Sequence, residues 1–98
     1  MTEKTIVNAI IKYLRTFDNC FCFKEHGGVY GTAGIPDVIC CYKGRFLAFE
    51  VKTEKGKATE LQKATISKIL QAEGIAVIVR SVDEVKAVIQ KMEVRCDD

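Results

Sequence analysis

The stretch Ile35-Pro36-Asp37-Val38-Ile39-Cys40-Cys41-Tyr42-Lys43-Gly44-Arg45-Phe46-Leu47-Ala48-Phe49-Glu50-Val51-Lys52 decides the fold. Its first half, Ile35 to Tyr42, is apolar except for Asp37. Pro36 fits only the first residues of a strand, because proline has no N–H to donate to a ladder. Lys43-Gly44 reads as a two-residue turn. Arg45 to Lys52 alternates, with Leu47, Phe49 and Val51 on one side and Phe46, Ala48, Glu50 and Lys52 on the other. Together these pieces predict a β-hairpin.

The turn also sets the register. Tyr42 faces Arg45, and Asp37 then falls opposite Glu50. Two carboxylates on one face of an antiparallel pair lie about 5 Å apart, which is destabilising unless one is protonated or a cation lies between them. Lys52 shares that face. Mg²⁺ prefers hard oxygen ligands and commonly takes one or two carboxylates, waters and a substrate phosphate. Asp37, Glu50 and the backbone carbonyl of Val51 form such a donor set. Lys52 stands ready to orient a water or offset developing negative charge. The alternative is a solvated face carrying a Glu–Lys ion pair, which contributes little at a surface.

Outward from the hairpin, Ile6, Ile10, Tyr13, Leu14 and Phe17 recur at helical spacing, so Thr2 to Phe17 predicts an amphipathic helix with Thr2 as N-cap. Cys20 to Lys24 is short and aromatic and reads as a strand, with its phenylalanines expected in the core and a dimer-interface edge as the alternative. Between them and the hairpin lies Gly27-Gly28-Val29-Tyr30-Gly31-Thr32-Ala33-Gly34, a glycine-rich loop that matches neither a P-loop nor a dinucleotide fingerprint. After the hairpin, Thr53 to Ala58 is a polar loop. Thr59 opens a helix whose apolar face is Leu61, Thr65, Ile69 and Ala72, flanked by Ile66 and Leu70, and Gly74 closes it as the C′ residue. Ile75 to Val79 is β-branched and predicts a buried strand. Ser81-Val82-Asp83-Glu84 is a capping box. The last helix buries Val85, Val88, Ile89 and Met92, and residues 94–98 are expected to fray. The order α-β-β-β-α-β-α predicts an α/β fold, a single small domain over residues 1–93 with a mixed sheet flanked by helices.

The chain has 98 residues, 15 basic and 13 acidic, with 48% hydrophobic residues. That balance excludes a disordered chain and leaves room for one core. No export signal or ~20-residue apolar span is visible. The five cysteines include no C-x-x-C pair and read as free thiols of a reducing compartment, so the expected location is cytoplasmic.

Pro36-Asp37 followed by Glu50-x-Lys52 resembles the PD-(D/E)XK nuclease motif, and the element order resembles that superfamily's restriction-endonuclease-like core. With Gly34-Ile35-Pro36-Asp37, the Gly44-Arg45 turn, Glu50-Val51-Lys52 and Gln62, the chain is similar to the virus-type replication-repair nuclease domain, VRR-NUC. The resemblance implies that Asp37 and Glu50 bind the metal, that Lys52 is the catalytic lysine and that Gln62 supports the site. It implies a further acid from the first helix, best matched by Glu3, with Glu25 as a rival. His26 follows Glu25 and is a candidate to approach the phosphate. It also implies Mg²⁺, with Mn²⁺ able to substitute, and a stand-alone viral or bacterial type. Such proteins resemble Holliday junction resolvases acting as homodimers on branched DNA in a bacterial or phage-infected cell.

Charge placement agrees with a nucleic-acid partner. Residues 43–63 carry a net +3 while the remainder is −1. Lys24, Lys43, Arg45, Lys55, Lys57 and Lys63 are candidates for phosphate contacts, and Tyr30 for stacking on an unpaired base. No sequence-reading module is present, so cleavage is expected to follow DNA structure. Nucleases acting on flaps or nicked DNA are rival readings, as is a non-catalytic nucleic-acid-binding module; the presence of Asp37, Glu50 and Lys52 together argues against the latter.

Overall fold

The computed structural model describes residues 1–25 and 33–96, with side chains as far as residue 93. The elements are α1 (Glu3–Leu14), β1 (Cys20–Lys24), β2 (Val38–Tyr42), β3 (Arg45–Val51), α2 (Glu60–Gln71), β4 (Ile75–Val79) and α3 (Val82–Cys96). This is the α/β order that the sequence predicts. The strands form one sheet in the order β1-β2-β3-β4. The first three are antiparallel, and α2 carries the chain across so that β4 runs parallel to β3.

The hairpin register is the expected one. Val38 pairs with Phe49 and Tyr42 with Arg45. Lys43 and Gly44 have φ of 51° and 82°, the two positive values that a type I′ turn requires. Strand alternation then sends Val38, Cys40, Tyr42, Leu47, Phe49 and Val51 to one face, where all six are buried. Helices α1 and α3 cover that face. Ile6, Ile10, Ile11 and Leu14 from α1 and Val85, Ile89 and Met92 from α3 complete the core.

Several elements differ from the expectation, each for a packing reason. Helix α1 ends at Leu14 instead of Phe17. Thr16 and Phe17 turn back on Tyr13 and Leu14 through i→i−3 bonds, which lays Phe17 edge-on against Tyr13 and Tyr42. Strand β4 is an edge strand, so Ile75, Val77 and Ile78 are only half-buried. No residue of α2 is buried, and Leu61 and Leu70 are each more than half exposed. Phe21 (70% exposed) and Phe23 (41%) are not core residues. They pair with Cys41 and Ile39 and therefore share the sheet face that carries Phe46 and Ala48, opposite α1 and α3. Helix α2 lies on that face but reaches only its β3–β4 side. The expected frayed segment begins at residue 94, whereas α3 continues to Cys96; residues 97–98 lie outside the described ones.

The end of α2 shows a similar shift. The N–H groups of Glu73 and Gly74 bond to Leu70 and Ile69, a Schellman motif in which Glu73, at φ 68°, occupies the left-handed C′ position. Gly74 sits one place later and serves a different need. A Cβ there would lie 2.9 Å from the Ile69 side chain and 3.2 Å from Phe46. At the start of α3, Ser81 Oγ accepts from the Glu84 N–H, while Glu84 Oε1 reaches one residue further back to the Arg80 N–H.

Because glycine adopts positive φ without the Cβ penalty, Glu73→Gly is expected to stabilise the fold by about 0.5–1 kcal/mol. Gly74→Ala is expected to destabilise it. Urea denaturation midpoints check both, and a lower midpoint for Glu73→Gly would contradict the assignment of C′.

Candidate active site

Asp37 precedes β2 and Glu50 is the penultimate residue of β3, so the hairpin brings them together at its open end. Asp37 Oδ2 accepts the Val51 N–H at 2.8 Å, which ties the start of β2 to the end of β3. Gly34 explains the bend that delivers Asp37. Its φ is +86°, and a Cβ would sit 2.8 Å from the Leu61 side chain and 3.0 Å from the Leu61 carbonyl, so this segment passes directly against the first turn of α2. Pro36 is buried beneath it.

Glu50 is 2% exposed, the one buried charged residue among those described. Lys52 Nζ lies 3.4 Å from its Oε2. Its Oε1 is buried with no hydrogen-bond partner. Burial first, then the adjacent Asp37 carboxylate, push the Glu50 carboxyl up to about 7, and Lys52 opposes the rise only in part. A buried oxygen without a partner is costly, and two neighbouring carboxylates repel. One divalent cation between them would relieve both. The donors, two carboxylates and the Val51 carbonyl, are hard oxygens, the chemistry that Mg²⁺ or Mn²⁺ accepts. Among the described residues, no group of three His, Cys, Asp or Glu side chains is placed to hold a metal ion.

Beside Asp37 opens a cleft of about 500 Å³ lined by Glu3, Lys4, Val7, Lys24 and Glu25. Glu3 arrives on the first turn of α1. Glu25 arrives at the end of β1, where its N–H donates to the Asp37 carbonyl at 2.8 Å. Both rival acids thus border the site. Lys24 is there too, its Nζ donating to Asn8 Oδ1 at 2.9 Å. Lys4, to which no sequence motif points, lines the same cleft.

The remaining candidates make other contacts. The Oε1 of Gln62 accepts the Thr59 N–H at 2.8 Å, so this side chain completes the capping box of α2 and has its amide nitrogen left for other partners. Lys55 and Lys57 are exposed on the loop that follows Lys52, and Lys63 is exposed on α2, 3.5 Å from Glu60. Lys43 and Arg45 are at the turn, the far end of the hairpin, about 20 Å from Asp37 at the usual rise of a strand. Lys43 pairs there with Glu93 at 2.8 Å. The basic window of the sequence is therefore divided between the two ends of the sheet, because a hairpin separates its turn from its open end. Tyr30 and His26 lie outside the described residues. Arg80, to which no sequence motif points, directly follows β4, and its guanidinium binds the carbonyls of Thr53, Glu54 and Gly56.

A family model described as archaeal Holliday junction resolvase (hjc) matches residues 25–93. No curated protein sequence matches the chain. Among solved structures, one titled "VRR_NUC domain protein" is similar with a TM-score of 0.70 and 22% identity, over 93% of this chain and 87% of that one. A second, titled "VRR_NUC domain", has a TM-score of 0.70 and 21% identity, over 92% and 97%.

Glu50 generates a pH prediction. Its folded pKa is raised, so between its ordinary value and about 7 the folded state holds more protons than the unfolded chain. Stability without metal must therefore fall as pH rises through that window. Glu50→Gln, which never carries the charge, is expected to flatten this decline and to be the more stable form at pH 8, by on the order of 1–3 kcal/mol. Chemical denaturation in EDTA at pH 5 and pH 8 measures it. Equal pH slopes for the two proteins would show that Glu50 is not strained in the folded state.

Proposed function

Since the chain belongs to the archaeal Holliday junction resolvase family and is a DNA endonuclease, we propose that it cleaves four-way junctions as a homodimer with a divalent cation held by Asp37 and Glu50. The observation that carries the reading is the buried, unpartnered Oε1 of Glu50 beside Asp37, with Lys52 within ion-pair distance. Mg²⁺ is the proposed cation, with Mn²⁺ able to replace it. When bound, it would activate water and neutralise charge on the scissile phosphate.

The protein's own groups do the rest. Asp37 is held by the Val51 N–H and so presents its other oxygen at a fixed place. The Val51 carbonyl is the third oxygen donor. Lys52 is the catalytic lysine: its ammonium offsets charge that develops on the phosphate and can position the attacking water. Glu3 is proposed as an added acid across the cleft, with Glu25 as the alternative, and Lys4 and Lys24 attract the backbone there. Gln62 supports the site from the start of α2.

A four-way junction has two-fold symmetry and needs two matched cuts, which an isologous dimer supplies with one site per chain. The exposed Phe21 and Phe23 on the part of the sheet face that α2 leaves open offer a surface for the second copy. Among the described residues no element resembles a base-reading module, so branch structure is the proposed determinant.

Asp37→Asn keeps an acceptor for the Val51 N–H but removes the charge. It is expected to lower cleavage at least ~100-fold while binding persists, and Lys52→Met is expected to act in the same way. The assay uses labelled junction, flap, duplex and single-stranded DNA with Mg²⁺ or EDTA. Cutting of flaps with an inert junction would refute the junction reading. Undiminished cutting by either variant would refute its assigned role. For the dimer, light scattering should give twice the 10.9 kDa chain mass and the single mass for Phe21→Glu. A monomeric wild type would exclude it.

A further inference from the structure

Arg80 is the residue immediately after β4 and is half-buried. Its Nη1 donates to three carbonyls of the loop leaving β3, those of Thr53, Glu54 (3.3 Å) and Gly56 (2.8 Å). Its backbone is itself fixed, because its N–H donates to Glu84 Oε1 at 2.8 Å. The ion pairs among the described residues are Lys43–Glu93, Lys52–Glu50 and Lys63–Glu60, so in this set the Arg80 charge faces backbone oxygens instead of a carboxylate. Hydrogen bonds from a charged donor are stronger than neutral ones. Nη1 carries two hydrogens, so the bonds to Thr53 and Gly56 take one each and the longer approach to Glu54 shares one of them, and together they hold a glycine-containing loop in a curl.

The position of that loop gives the contact a use. It begins directly after Lys52, whose N–H donates to the carbonyl of Val79, the neighbour of Arg80. Val79, the last residue of β4, and Arg80 directly after it therefore secure first Lys52 and then the segment beyond it. Lys55 and Lys57 are exposed on that segment. A free loop would lose conformational entropy each time its lysines met phosphates, and a preformed one has already lost it.

From this we infer that Arg80 is a positioning residue, which holds residues 53–57 as a cationic arm presenting Lys55 and Lys57 to DNA phosphates flanking the one that is cut. The inference rests on the nucleolytic reading of the Asp37–Glu50–Lys52 site. Arg80 acts through the loop and makes no phosphate contact of its own. Methionine at this position keeps apolar length without any donor, whereas lysine keeps a charged donor.

The test is a mutant cycle on the full chain with labelled four-way junction in EDTA, read as affinity against salt. Replacing Lys55 and Lys57 together by Ala should lower the slope of log K on log[salt] by about 1.8, the value for two lost phosphate contacts. Arg80→Met should lower affinity several-fold in the wild-type background but less than two-fold when both lysines are already absent. Arg80→Lys should recover most of the loss. Independently of DNA, hydrogen exchange at the amides of residues 53–57 should quicken at least ten-fold in Arg80→Met, while the α1 core amides stay protected. A loss from Arg80→Met that is equally large without the lysines would overturn the proposal, since Arg80 would then contact phosphate itself. Unchanged exchange would overturn it as well. If Arg80→Met fails to fold, the cycle and the exchange are read on Arg80→Gln with Arg80→Lys as the rescue, and wild-type affinity and exchange of Arg80→Gln would likewise overturn it. Should the wild type bind another DNA form in preference to junctions, only the substrate reading falls, because the same cycle runs on that DNA.

Discussion

Two carboxylates, Asp37 and Glu50, are held side by side at the open end of a hairpin, and much of the structure serves to keep them there. The type I′ turn at Lys43-Gly44 fixes which residues face each other. The bond from the Val51 N–H to Asp37 locks the open end. Left alone, such a pair would separate or protonate, and the raised Glu50 carboxyl shows how far the surroundings resist its ionisation. The fold can sustain this because the other face of the same strands is packed against α1 and α3. Tyr42, Leu47, Phe49 and Val51 are fully buried there, and their burial opposes any change of register.

The two sheet faces have unlike roles. One is filled by two helices and supplies stability. The other is covered by α2 over β3 and β4 only, so β1 and β2 show Phe21, Phe23 and Cys41 to solvent. The groups proposed to be catalytic occur at the margin of the covered part, where Glu50 is buried and Lys52 is partly exposed. The loop after Lys52 continues that margin, and Arg80 ties it back to β4. A site at the rim of a half-covered sheet can exclude water from its carboxylates and still admit a backbone as wide as that of DNA.

Much of the hairpin was legible in the chain because it depends on near neighbours. A two-residue turn and strict alternation specify pairing without reference to anything distant. The same reasoning placed Thr2 and Thr59 as caps, and both accept the expected N–H groups. It failed where a local preference had two structural solutions. Gly74 was the natural C′ residue, yet contact with Ile69 and Phe46 demanded glycine one place later and forced Glu73 into positive φ. Alternation showed that Phe21 and Phe23 share a face, but not that α2 would stop short of them. The +3 window was real as composition, but the hairpin carried Lys43 and Arg45 away from Lys52.

By itself, then, the sequence determined the order of elements, the register of β2 on β3 and the chemical types gathered at its open end. Turn geometry and side-chain period act over a few residues, so they can be read along the chain. Only the tertiary structure decided how deeply Glu50 is buried, that Glu3 and Glu25 meet Asp37 across one cleft, and that Arg80 reaches the carbonyls after Lys52. Burial and electrostatics depend on what packs against a group from distant parts of the chain, and no spacing in the sequence encodes that directly.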